Sequence, residues 1–358
     1  MSIRHCLGPL ALILAATGGV SFQSAAAQAP QISKPRPVPR GPSNMDALPP
    51  AVIDNGLVIG GDDINARVVE TRMTVDVHVN QRGPYRFLVD SGADTSVVGL
   101  KIARDLQLPL STPVVLNGMT ARNIVDRVKV AELTMGPSTI RDLRLPALHE
   151  GALGGEGMLG IDALVNQRLL MDFDKQIIRV EDARIPYRPQ RDEIVITARR
   201  QRGQLILTEV NAGGLPLDAV IDTGSEVTIG NSALRDKIVR KTRDKIWKAP
   251  MTGVTGETVN VDLARISELR LGSVTLRNVY IAFADVPPFE VFGLSKQPAL
   301  LLGTDVLEAF RRVSLDFRSR KVRFQLRKCT TTSITLSTTP TSSMSHLSDS
   351  TGATCAEK

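Results

Sequence analysis

The chain has 358 residues, of which 42% are apolar, enough core material for two domains or one large one. A formal net charge of +7 is mild at this length, and Phe, Trp and Tyr together reach only 4%. That combination excludes the basic, aromatic-studded surface of a nucleic-acid-binding protein, and the runs Arg199-Arg200-Gln201-Arg202 and Arg240-Lys241-Thr242-Arg243 read as solvated faces or linkers.

Residues 1–27 read as a secretion signal, with Arg4 and His5 ahead of an apolar stretch and Ala25-Ala26-Ala27 as a small-residue cleavage site. The stretch contains Pro9 and several glycines and is short for a bilayer span, so no stable membrane insertion is expected; an uncleaved anchor is the alternative. The expected location is periplasmic or secreted. Residues 28–50 are rich in Pro and read as an extended linker, either a pro-segment or a spacer. Cys6 lies within the signal, and Cys329 and Cys355 lie at the far end, where a disulfide would close the tail without stapling a core.

The body opens with Met73, Val75, Val77 and Val79 alternating with polar residues, the period of a half-buried strand. A turn at residues 80–83 leads into an apolar strand ending Phe87-Leu88-Val89-Asp90-Ser91-Gly92-Ala93-Asp94-Thr95-Ser96-Val97. Short helices are expected at residues 100–106 and 232–239, and after Leu159-Gly160 and Leu302-Gly303. Residues 184–192, with prolines and charges, read as a connector, and the Ser/Thr-rich residues 329–358 as a disordered tail.

The body also repeats itself. Ala219-Val220-Ile221-Asp222-Thr223-Gly224-Ser225 echoes the first Asp loop, again behind a hairpin. Residues 130–143 match 266–279 without a gap, Leu159-Gly160-Ile161-Asp162 matches Leu302-Gly303-Thr304-Asp305, and Met171-Asp172-Phe173 matches Leu315-Asp316-Phe317. Four blocks in the same order define two homologous lobes, at 51–185 and 186–328.

An apolar strand followed by Asp-Ser/Thr-Gly places a carboxylate at a fixed, partly dry position. The adjoining hydroxyl of Ser91 or Thr223 is free to bond across to the partner loop, and Gly92 and Gly224 permit close backbone approach. Two such loops face to face cannot both ionise freely, so one proton is shared and the pair supplies one acid and one base.

These residues resemble the active-site strand and loop of the retropepsin-like aspartic proteases, and the Leu-Gly elements resemble that family's later strand, whose glycine passes behind the catalytic loop. The resemblance covers residues 68 to 328. It implies an all-β, bilobal acid-protease fold: two retropepsin-like β-barrel lobes with short helices and a cleft between them. It further implies an aspartic endopeptidase acting on peptide or protein substrates, monomeric with an internal pseudo-two-fold, and needing no metal or cofactor. Carried over by position, Asp90 and Asp222 are the catalytic dyad. Ser91, Gly92, Thr223 and Gly224 orient them, and Ala93 and Ser225 lie where substrate backbone passes. Asp94 and its counterpart Glu226 either contact different ends of a peptide or stand in solvent. The flap candidates are residues 116–120 and 251–256, neither of which carries a pepsin-type Tyr.

Other chemistry lacks support. The four His residues are scattered without ligand spacing, His78 and His149 reading as surface residues, and no Gly-x-Ser-x-Gly occurs. The glycine-rich residues 151–157 lack the ending of a phosphate loop and read as a mobile loop. A catalytically weak peptide-binding module on the same fold is the rival reading.

Overall fold

The computed structural model describes residues 31–39, 63–64, 67–69, 72–136, 138–164, 167–190, 192–239 and 246–327. The signal reading at 1–27, the tail at 329–358, all three cysteines and much of the linker therefore lie outside the described residues.

Each lobe starts with a hairpin whose second strand carries an Asp loop. Arg72–Val79 pairs antiparallel with Arg82–Val89, and Val75, Val77 and Val79 are buried while Asp76 and His78 face solvent. Asn80 and Gln81 both take positive φ, 48° and 65°, as a two-residue turn that follows strand twist demands. In the second lobe Gln204–Ala212 pairs with Leu215–Ile221 around Gly213 and Gly214, which adopt the same handedness. The helices fall where the pattern placed them, at Leu100–Asp105, Ile161–Leu164, Ser232–Val239 and Thr304–Leu307. Two further short ones, Glu150–Leu153 and Pro287–Val291, occupy the preceding loops.

The long strands Arg122–Met135 and Thr258–Leu271 are the lobes' matching spines. The first pairs with Leu110–Asn117 and Ser138–Leu148, the second with Trp247–Thr252 and Val274–Phe283. Among the described residues the sheets contain nine and thirteen strands. The larger one crosses between the halves of the chain, because Gln167–Asp172 pairs with Phe310–Asp316. Gln167–Asp172 also pairs with Ile177–Asp182, so a first-half hairpin completes a second-half sheet.

That junction is self-complementary. Arg168 faces Asp316 and Asp172 faces Arg312, with Nε–Oδ2 distances of 3.2 and 2.6 Å. Each lobe offers the other an Arg and an Asp four residues apart, the reciprocity of a two-fold interface. The connector has no regular structure at 186–190, and Tyr187 covers the guanidinium groups of Arg168 and Arg323 at 4.9 and 4.2 Å. The main hydrophobic core is continuous across both lobes, and two smaller clusters flank the cleft. Among the described residues no helix is long and apolar enough to cross a membrane.

Candidate active site

Phe87, Leu88 and Val89 are all but fully buried and run parallel to Gly157–Leu159, in register Leu159 with Val89. The Asp90 amide continues the ladder to the Leu159 carbonyl at 2.9 Å, and the Asp222 amide to the Leu302 carbonyl at 3.0 Å. Each Asp is thus the first residue beyond a buried strand, fixed by its own backbone.

The carboxyl groups are then oriented by the loops. Gly92 and Ala93 amides donate to Asp90 Oδ1 at 2.8 and 3.1 Å; Gly224 and Ser225 amides donate to Asp222 Oδ1 at 3.0 and 3.1 Å. The two side chains face each other across the pseudo-two-fold: the Asp90 carboxyl lies against Gly224, the Asp222 carboxyl against Gly92, and both line one cavity. Burial first, and the Asp90 charge second, push the Asp222 carboxyl well above the usual carboxylate range, against the pull of the Ser225 and Gly224 amides. The pair therefore holds a proton under conditions where an exposed Asp would have lost it.

Beneath the carboxyls, Ser91 and Thr223 are buried and lock the lobes together. The Ser91 amide donates to Thr223 Oγ1 (2.9 Å) while Thr223 Oγ1 donates to the Val89 carbonyl (2.8 Å). The Thr223 amide donates to Ser91 Oγ (3.1 Å), which donates to the Ile221 carbonyl (2.9 Å). Ser in one lobe and Thr in the other make the same pair of bonds, so the loss of a methyl at position 91 leaves the polar geometry intact.

The Leu-Gly elements brace these loops from behind. Gly160 abuts Thr95 and Ser96, and Gly303 abuts Val227 and Thr228, so closely that a Cβ on either would come within 3 Å of backbone. Two residues later a buried carboxylate ties down the same loops. Asp162 accepts from the Ser96 amide and hydroxyl and from Thr95 Oγ1, while Asp305 accepts from the Thr228 amide and hydroxyl. The repeat had marked both aspartates, but nothing in the sequence assigned them this bracing contact.

Above the dyad lies a cavity of about 130 Å³ lined by Asp90, Asp222, Ala93, Ser225 and apolar side chains including Leu88, Met158, Val220 and Phe292. Both flap candidates roof it. Gly118, Met119 and Val254 line it, Thr120 packs on Gly253, and Asn123 Nδ2 donates to Glu257 Oε1 at 2.6 Å. Drug-sized ligand sites span roughly 300–1,000 Å³, so this cavity is small beside them.

Asp94 is not solvated. Arg202 bonds it at 2.7 Å and Gln204 Nε2 at 2.6 Å, because the turn opening the second lobe's first hairpin reaches across the cleft floor. Glu226 is likewise buried. Arg202, read as a solvated basic residue, is therefore part of the cleft's frame. The cleft-wall residues Val291 and Phe292 lay in no motif and were not legible. Trp247 opens the second flap's first strand, half exposed and 6.1 Å ring to ring from Tyr280.

A bilobal β-fold with paired Asp-Ser/Thr-Gly loops under two flaps defines an acid-protease architecture. The aspartyl protease family profile matches residues 75–163 and again 208–306, more than half of the chain, and the chain belongs to that family in its retropepsin-like form, with two tandem units. No curated protein matches it.

Proposed function

We propose that this chain is an aspartic endopeptidase whose dyad is Asp90 and Asp222, both supplied by one polypeptide acting as a monomer. The facing carboxyl pair at the floor of an apolar cleft, each held against the other lobe's glycine, carries the reading. With one proton between them, the ionised partner takes a proton from a bound water as that water attacks the scissile carbonyl. The protonated partner gives its proton to the carbonyl oxygen as a gem-diol forms; the proton taken from water then passes to the leaving nitrogen while the other carboxylate takes one back from the diol as the C–N bond breaks. Ser91, Gly92, Thr223 and Gly224 keep the carboxyls in register, while Ala93 and Ser225 border the path of an extended peptide. The leader-like N-terminus supports a periplasmic or secreted location.

Asp90→Asn and Asp222→Asn, each shown to be folded by circular dichroism, are expected to lose pepstatin-sensitive peptide cleavage. Undiminished turnover in either variant removes the dyad from the mechanism. Peptides bound by the wild-type chain without new termini would favour a binding module on the same fold.

A further inference from the structure

The lobes differ at the base of their flaps in a way the cleft chemistry does not require. Asp126 and Asp262 are equivalent, each four residues ahead of the repeated block that begins at Val130 and Ile266. In the second lobe Asp262 is neutralised locally, by Arg235 of the helix Ser232–Val239 at 3.1 Å and by Lys248 of the flap's first strand. Arg235 stands thirteen residues after Asp222; the residue thirteen after Asp90 is Ala103, which brings no charge.

Asp126 takes its partners from far upstream. It is 8% exposed, and the Ser33 amide donates to its Oδ2 at 2.8 Å while Arg36 Nη2 stands 3.6 Å from Oδ1. Arg36 and Pro37 pair antiparallel with Ile124 and Asn123, adding a third strand to the first flap, and Ile32 packs on the main core. The corresponding edge of the second flap, Thr258 to Val261, carries no such strand among the described residues, since pairing there begins at Asp262. Residues 32–37, read from sequence as part of an extended linker, thus replace a cation that one lobe lacks.

We propose that residues 32–37 form a releasable strap that holds the first flap down over the cleft, so that substrate entry on that side is governed by docking of this segment. The gating half rests on the proteolytic reading; the strap itself does not. The attachment is light: two paired residues, the Ser33 amide and one exposed Arg on one buried carboxylate, and the packing of half-buried Ile32, which suits a contact that opens and closes.

The test uses the full-length chain. Ser33→Pro removes the amide that Asp126 accepts, Arg36→Glu reverses the charge, and Arg36→Lys keeps it; all three lie outside the core, so folding is preserved. Hydrogen exchange followed by mass spectrometry is expected to show the first flap, residues 110–126, exchanging about tenfold faster in Ser33→Pro and about fivefold faster in Arg36→Glu. Arg36→Lys should restore the wild-type rate, and the second flap, residues 247–261, should not change. Equal first-flap exchange in both disruptive variants and wild type overturns the strap. Where peptide is cleaved, kcat/KM should rise severalfold with the strap released; an unchanged value beside faster exchange overturns gating. A chain without turnover counts against the proteolytic reading alone, and exchange still decides the strap.

Discussion

Gly224 packs so tightly under Asp90 that a Cβ built on it would stand 2.2 Å from the carboxyl carbon. Gly92 meets Asp222 in the same way at 2.7 Å. Each glycine thus defines how near its lobe's loop comes to the other lobe's carboxyl. Gly92→Ala or Gly224→Ala must displace a carboxyl, and a misplacement on the order of 1 Å costs about a hundredfold in rate. We expect kcat/KM for a peptide to fall by at least about that factor in either variant, with the circular dichroism spectrum of the wild type. Full activity in both would mean that carboxyl spacing does not limit catalysis.

The Ser91–Thr223 lattice makes a complementary prediction about stability. Thr223→Val removes the hydroxyl and strands the Ser91 amide and the Val89 carbonyl in a dry site, at about 1–3 kcal/mol each. Thr223→Ser keeps both bonds and should lie close to wild type, since Ser91 already makes the mirror-image set. Denaturant unfolding of the two variants checks this; equal midpoints would show that water satisfies the stranded groups.

Much of this was legible because duplication filters chance. One Asp-Ser/Thr-Gly is a turn, but two, each followed by Leu-Gly-x-Asp in the same order, mark two loops that the fold brings face to face and the strands that brace them. The hairpins were legible from alternation, and their turns from Asn80-Gln81 and Gly213-Gly214. What escaped depends on partners distant in the chain. Arg202 reaches Asp94 over 108 residues and Ser33 reaches Asp126 over 93, and neither contact leaves a local pattern. The linker's many prolines and lack of periodicity concealed a two-residue strand too short to register. One signal was available and unread: Arg-x-x-x-Asp occurs at 168–172 and 312–316, the spacing that makes the inter-lobe junction reciprocal.

Buried carboxylates give the molecule a particular pH response. Desolvation pushes Asp305 up to about 6, and raises Asp162 and Asp222 in the same direction. A folded-state value above the unfolded one means the native state binds more protons between the two, so stability falls as pH rises through that window. For Asp305 the window runs from its ordinary 3.8 to about 6, and the loss is on the order of 3 kcal/mol. Unfolding midpoints in urea should therefore decline from pH 4 to pH 6, and Asp305→Asn should flatten the decline. Asp262, held below the ordinary range mainly by Lys248, acts oppositely, but its partners Lys248 and Arg235 stand in solvent and their pull is screened. Catalysis should fade on the alkaline side as the dyad loses its shared proton. A midpoint that climbs steadily from pH 4 to pH 6 would contradict the assignment.

The inter-lobe junction makes the last prediction, because its charges are buried and paired across the pseudo-two-fold. Arg168 and Asp316 side chains are 4% and 2% exposed, so removing one leaves the other in a low-dielectric site. Arg168→Met should destabilise the chain by about 3 kcal/mol, since the remaining cation at Asp316, Arg323, stands off at 3.6 Å. Glu181, the other carboxylate at Arg168, is 26% exposed and turns to water at little cost. The double variant Arg168→Met with Asp316→Leu should recover part of the loss, as apolar replacements of buried ion pairs do, with Arg323 left on the Tyr187 ring without its carboxylate. A coupling of at least about 1 kcal/mol in the double-mutant cycle, read from denaturant unfolding, is the expected result. Strict additivity would show that the two residues do not act as a pair. The equivalent cycle at Asp172 and Arg312, bonded at 2.6 Å, should give a coupling of the same sign, because the two junction halves are one motif used twice.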